Sequence, residues 1–370
     1  MAVPTWANIL ATFGITGSEA KEMQRLNNFG HLYNWCTFNS SHLDGATDVT
    51  TVLQTAITNI RAETIHADHR PRLILPRGKY KINDTLDANK VALVAPDGAM
   101  FLAESVGASK EAISWDQSDE AQWNPWNGPT AQGLYIVGRD TPVATITYTT
   151  DAWGISAGAP GGIFSNIHLR NFDKAIVGGR EYAYIQTFNH VWGLNNNYGF
   201  YWPSNGGVSG EKVAGFECNF SNNNVGMYFR HNESGGTGIA SGGSFQWFNP
   251  SIDYNVSKAI DIIGPGSSVS DLNSGVSIYG GHIETQITTS GSNPRITNGS
   301  VLKLIGTTIY DDYDNVINTS FYGRTSLIGV HYAIAGTETK GDGSGNYKTF
   351  GSTQRYGGTL TVDTGITEAW

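Results

Sequence analysis

Residues 41–66 read SHLDGATDVTTVLQTAITNIRAETIH, and residues 73–82 read LILPRGKYKI. In the first stretch Val49, Val52, Leu53, Ala56, Ile57 and Ile60 recur at i, i+3, i+4, i+7, i+8 and i+11, a single apolar stripe at helical period. Asp44-Gly45 suits a preceding turn, and Thr47 or Asp48 can accept the first free amide protons as N-cap. The spacing predicts a helix over about residues 48–62. In the second stretch Leu73, Ile74 and Leu75 read as a strand, Pro76-Arg77-Gly78 as a turn and Tyr80-Lys81-Ile82 as another strand.

Nothing after about residue 90 repeats that helical stripe; short β-rich runs punctuated by Gly, Asn, Ser and Pro take its place. Within them a phrase recurs in which a polar residue and one further residue precede a small residue and an apolar one. It stands at Asp173-Lys174-Ala175-Ile176, Asn197-Tyr198-Gly199-Phe200, Asn224-Val225-Gly226-Met227 and Ser257-Lys258-Ala259-Ile260, its small residues 24, 27 and 33 apart. A weaker copy ends at Asn315-Val316. Strand-like runs such as IFSNIHL, VAGFECNF, VSIYGGHIE, VLKLIGTTIY and SLIGVHYAI accompany the phrases. Such a pattern predicts an all-β chain, a parallel β-helix whose coils bury their apolar residues only against the coils above and below. Asn side chains at the turns would then hydrogen-bond in ladders from coil to coil. The one helix acquires a purpose too, since a solenoid has an open end that an amphipathic capping helix can cover. The division expected is a cap region, residues 1–90, a β-helix, residues 91–335, and a short closing segment, residues 336–370, read as a loop and two short strands.

Composition agrees with an elongated, turn-rich β structure: 46 Gly and 12 Pro, 11% aromatic residues and only 15% charged ones in 370 residues. A formal net charge of −9 argues against nucleic-acid and anionic-membrane partners. The basic residues between Arg61 and Lys90 are interleaved with Glu63, Asp68, Asp84 and Asp87, as on a solvated mixed-charge surface. Cys36 and Cys218 match no metal or redox spacing and read as buried free thiols, as in a chain that folds in a reducing compartment. No apolar run has membrane-spanning length, and MAVPTWANIL is unlike a signal peptide.

The residues from Asp44 to Ile57 and from Leu73 to Tyr80 resemble the opening of the pectate-lyase-like right-handed β-helix proteins, and among them bacteriophage tailspikes and capsule depolymerases. That opening runs Asp-Gly-x-x-Asp-Asp-Thr-x-Ala-Leu/Ile-Gln-x-Ala-Ile, then Leu-x-Leu/Phe-Pro-x-Gly-x-Tyr; here Val49 replaces the second acid and Val52 a small residue. The resemblance implies a homotrimer of β-helices in a virion tail, assembled in the host cytoplasm and docked on a tail or baseplate adaptor. It also implies binding, and often cleavage, of a bacterial surface polysaccharide.

Glycoside hydrolysis needs one acid to protonate the leaving oxygen and a second carboxylate to activate water or attack the sugar. Glu217, Asp253, Glu284 and the pair Asp311 and Asp312 follow one another at 36, 31 and 27 residues, near the coil period. Carboxylates one coil apart on the same face would lie roughly 5 Å from each other, the separation of a retaining pair. Solvated or turn-capping acids give the same spacing. Glu284 stands out because YGGHIE sends His282 and Glu284 to one strand face. β-Elimination on a uronate is the alternative chemistry, with Arg230-His231 or His168 and Arg170 as its base; a non-catalytic receptor-binding spike or adhesin is the alternative class. No EF-hand or zinc pattern occurs, so neither metal nor cofactor is expected. For sugar contact Tyr201, Trp202, Trp247, His282 and Arg230 are the candidates, Trp202 and Trp247 fitting a core or interface as readily. Trp115, Trp123 and Trp126 fall in a stretch too polar to read as core.

Overall fold

Helix α1 spans Thr50–Ala62, and Asp48 is its N-cap: Oδ1 accepts the Thr50 N–H at 3.0 Å and the Thr50 hydroxyl at 2.6 Å. Leu53, Ala56, Ile57 and Ile60 are buried as the stripe requires, with Val49 before them and Val52 partly covered. The helix packs on strands Arg72–Ile74 and Leu86–Asp87. Gln54 makes a two-way bond there, donating to the Asp87 carbonyl and accepting the Asp87 N–H. The expected turn at Asp44-Gly45 is instead part of a bulged strand, Asp44–Asp48, pairing in parallel with Gly78–Lys81, and Gly45 supplies the positive φ that the bulge needs.

The computed structural model describes residues 40–62, 72–115, 130–139, 152–158, 160–178, 183, 185–203, 210, 212–230, 244–263, 275–284, 296–298, 301–311, 317–319, 324–334, 337–340, 346–350, 355–356 and 359–362. Cys36, Trp123, Trp126, His231, Asp312, Asn315 and Val316 lie outside them.

Among the described residues all paired strands run parallel, and strands along the middle of each ladder bond to one strand a coil earlier and one a coil later. Three faces result. The first passes through Thr187–Leu194, Val213–Phe216, Ser244–Phe248, Gly275–Tyr279, Val301–Ile305 and Arg324–Ile328. A corner residue with positive φ turns the chain onto the second face: Asn166, His190, Glu217 and Asn249 in the earlier coils, Gly280, Gly306 and Gly329 in the later ones. The second face includes the ends of Ile163–Arg170 and Thr187–Leu194, continues through bridges at Asn219, and proceeds as Ser251–Asp253, His282–Glu284, Thr308–Asp311 and His331–Ile334. After a second corner comes the third face, in which Ile176, Phe200, Met227, Ile260, Ile296 and Ile317 are in register. The four small-apolar phrases therefore do mark successive coils, and the next register positions fall at Ile296 and Ile317.

The expected Asn ladders are present, and there are two. Inside the second corner Asn196, Asn223 and Asn255 are fully buried; each of the later two offers Oδ1 to the main-chain N–H of its predecessor, at 2.9 and 3.0 Å. At the phrase positions Asn197 Nδ2 donates to Asp173 at 2.8 Å and Asn224 Nδ2 to Asn197 at 3.0 Å. Because these amides satisfy turn backbone that sheet bonds do not reach, they fix the corner without a strand. The interior beside them is aromatic: Phe164, Phe188, Phe200, Phe220 and Trp247 pack ring on ring along the axis.

Two expectations change and one stands. Trp115 is core, fully buried, its indole N–H donating to the Val91 carbonyl at 3.0 Å. Asn346–Phe350 pairs in parallel with Arg324–Ile328, so the ladder of the first face runs on past residue 335, and among the described residues the stretch from Gly341 onward, read as a loop and two short strands, holds three strands. Cys218 is a buried free thiol, as expected, and burial pushes its pKa up to about 12.

Candidate functional site

On the second face alternate residues point outward, because the intervening Ile252 and Ile283 are buried in the core. Two outward columns follow. One holds Tyr135, His168, Trp192, Asn219, Ser251, His282, Thr308 and His331. In the second, Asp253, Glu284 and Tyr310 are successive register partners. Asp253 and Glu284 are thus neighbours on adjacent coils, with backbones one strand spacing, roughly 4.8 Å, apart.

Asp253 is only 6% exposed, and both of its carboxylate oxygens have partners. Oδ1 accepts the Glu284 N–H at 3.1 Å, while Oδ2 takes the Ser251 hydroxyl and lies 2.8 Å from His282 Nε2. Its own N–H donates to the Ser221 hydroxyl at 3.1 Å. Burial raises the pKa of Asp253 above the ordinary carboxylate value, and the Glu284 charge adds to this; Ser251, His282 and the Glu284 N–H act in the lowering sense without cancelling it. Glu284 is half-buried and shares a hydrogen bond with the exposed Tyr254 phenol, whose pKa that bond and the Glu284 charge raise. The Tyr310 ring meets His282 edge-on at 6.4 Å and is 44% exposed. Four side chains that can handle protons, Asp253, His282, Glu284 and Tyr254, therefore meet at one place. A buried carboxylate behind an imidazole orients the ring and stabilises its cation, and Glu284 beside it supplies a carboxylate that solvent can reach.

The other predicted residues lie elsewhere. Glu217 is a corner residue of the first and second faces, and its Oε2 is 2.6 Å from His190 Nε2. Asp311 pairs with Ile334, one residue out of step; Tyr310 occupies the position that continues the Asp253–Glu284 column, so Asp311 does not extend it. Trp202 and Trp247 are core residues, 2% and 0% exposed, and cannot meet a ligand from outside. Tyr201 and Arg230 belong to the third face, Tyr201 stacked on Tyr228 with Lys174 Nζ over its ring, around the molecule from the Asp253 cluster. Of the alternative bases, His168 stacks on Trp192 at 4.4 Å and burial lowers its pKa, while Arg170 donates to the Tyr135 hydroxyl at 3.3 Å. Both are on the second face but several coils before Asp253.

Sequence reasoning missed Ser251, Tyr254 and Tyr310 at the site and, along the same face, Tyr135 and Trp192. The alternation of Ser251-Ile252-Asp253 in PSIDYN held the signal for Ser251.

No protein-family model matches the sequence, and neither does any curated protein. Solved structures do match in shape. The A-module of the mannuronan C-5 epimerase AlgE4 of Azotobacter vinelandii superposes with a TM-score of 0.55 at 9% identity, over 90% of this chain and 97% of that one. The fold is a right-handed parallel β-helix. ORF18 of Geobacillus virus E2 aligns over 95% of this chain at 14% identity and a TM-score of 0.50; the match spans 63% of the viral chain, less than two thirds of it. The enzymatically active domain of tailspike protein 4 of bacteriophage CBA120 aligns over 90% of this β-helix and 39% of its own length, at 11% identity and a TM-score of 0.45. What the epimerase module and the viral protein establish is the β-helix, whose outward second face carries the cluster just described.

Proposed function

We propose that this β-helix is a phage spike that binds a bacterial surface polysaccharide, capsule, exopolysaccharide or O-antigen, and depolymerises it by glycoside hydrolysis at Glu284, His282 and Asp253. The observation carrying this reading is the in-register Asp253–Glu284 pair on an outward face, with Asp253 bonded to His282. Both Asp253 oxygens already accept hydrogen bonds and His282 is the more exposed of the two, so in this reading the proton reaching the leaving glycosidic oxygen comes from His282, with Asp253 stabilising the imidazolium. Glu284, two residues along the same strand from His282, acts as nucleophile on the sugar, and water then releases the glycosyl group from it. Similarity to an epimerase of mannuronan and to a viral protein supports the polysaccharide and phage parts of the reading. In it the protein is a homotrimer on a tail or baseplate adaptor, with α1 as lid of the first coil and residues 1–90, 91–335 and 336–370 as cap, β-helix and closing segment.

The same Asp253–His282 arrangement favours a second reading, in which neutral His282 abstracts the proton beside a uronate carboxyl and the bond breaks by β-elimination. Incubating the purified protein with capsule and O-antigen preparations decides between them. Hydrolysis yields new reducing ends without the ultraviolet absorbance of an unsaturated uronate; elimination yields both. Retained binding without any product leaves the non-catalytic spike.

A further inference from the structure

N-terminal to the catalytic cluster, on the same outward face, a small groove is lined by Tyr135, His168, Arg170, Trp192, Leu194 and Asn195. Arg170 is half-buried in it, and its Nε is buried without a hydrogen-bond partner. Its guanidinium touches the Tyr135 hydroxyl at 3.3 Å, and among the described residues it forms no ion pair. The chain carries 32 acids against 23 Lys and Arg, so an unpaired, partly desolvated guanidinium stands out. Beside it Trp192 is 37% exposed and held flat by His168, with ring centroids 4.4 Å apart at 22°. Burial lowers the His168 pKa, which leaves Arg170 as the local cation. The groove that continues toward the first coil mixes Arg77 and Lys79 with Asp44 and Asp97 and has no such surplus.

An exposed indole face suits the C–H side of a sugar ring, and a planar guanidinium fork suits a carboxylate. We infer that Arg170 and Trp192 form a binding subsite for a carboxylate-bearing sugar, so that the glycan this face takes is acidic. A single fork, with no second Lys or Arg among the described residues that line the groove, fits a carboxylate better than a phosphate dianion. Arg170 lies in register with Leu194, and Trp192 bridges to Asn219 and Asn219 to Ser251, which places Trp192 two rungs and Arg170 three rungs, roughly 10 and 15 Å, from the rung of Asp253. The sugar bound there is a few units removed from the bond that is cut. The inference rests on the glycan-binding reading of this face but not on its chemistry.

The test is calorimetric binding of mannuronate, guluronate, galacturonate and glucuronate oligosaccharides, each compared with its carboxyl-reduced form. The expected result is that at least one uronate series binds about tenfold or more tighter than its reduced counterpart. Arg170→Gln should abolish that difference, Arg170→Lys keep part of it, and Trp192→Ala weaken both forms alike. Glu284→Gln should keep it. Equal binding of charged and reduced forms by the wild-type protein, absence of binding by every series, or an unchanged preference in Arg170→Gln, each overturns the subsite. Should Arg170→Gln not fold, an undiminished preference in Arg170→Lys together with undiminished affinity in Trp192→Ala overturns it equally. Uronate preference in a Glu284→Gln protein that still cleaves would leave the subsite standing and remove the proposed catalytic residue.

Discussion

The Glu284 main-chain N–H donates to the Asp253 carboxylate at 3.1 Å, so two candidate catalytic residues 31 positions apart are tied across adjacent coils. Replacing the Glu284 side chain leaves that tie in place. Glu284→Gln is therefore expected to lower turnover by about 100-fold or more while the melting temperature changes little. Reducing-end release and thermal unfolding on one preparation check both halves, and full activity would remove Glu284 from the site.

Asp253 gives a pH signature. Its folded-state pKa is raised, chiefly by burial, so the folded protein holds the Asp253 proton more tightly than the unfolded chain does. The associated stability is fully present below the unfolded value and is lost as pH rises through the folded one. The melting temperature of the wild type relative to Asp253→Asn should therefore fall as pH rises from about 4 toward 7. A difference that grows over that range contradicts the assignment.

Asn223 is the middle of the buried ladder. Oδ1 accepts from the Asn196 N–H and Nδ2, and Nδ2 donates to the Gly193 carbonyl at 2.9 Å. Asn223→Ala removes the recorded side-chain partner of the buried Asn196 N–H and leaves Asn196 Nδ2 with only the Leu169 carbonyl, and a loss of about 3 kcal/mol is expected in denaturant unfolding. A loss below about 1 kcal/mol would mean that the ladder does not hold the corner.

Trp247 packs against Phe200 at 4.9 Å and Phe220 at 5.5 Å, and a Cβ on the adjacent-coil Gly215 would stand 2.0 Å from its ring. Trp247→Ala should cost about 3–5 kcal/mol. Gly215→Ala should cost about 1–3 kcal/mol by overpacking. Neither effect should depend on added glycan, which melting with and without oligosaccharide would show.

How far the sequence could be read follows from which link each feature depends on. Helix α1 and the small-apolar phrases are local, one set by a 3.6-residue stripe and the other by the space a Gly or Ala leaves for the next coil, and both were legible. The pairing of Asp253 with Glu284 was legible as a spacing. The register of Asp311 was not legible, because spacing carries an uncertainty of one residue and the column of Asp253 and Glu284 continues at Tyr310. Trp115, Trp202 and Trp247 show the same limit. Alternation groups residues into two faces, but which of them faces inward is decided by corners such as Asn166 and Asn249, whose positive φ leaves no clear mark in composition. Trp192 and Arg170 were obscured because their meeting depends on which residues of neighbouring coils come into register.

Cys218 has a use that its inertness creates. Sealed under the coil at Phe188 and nearly impossible to ionise at physiological pH, the thiol can react with an alkylating reagent only when adjoining turns part. The molecule thus carries its own stopwatch: the pace of labelling at that sulfur reports how often the middle of the rod breathes.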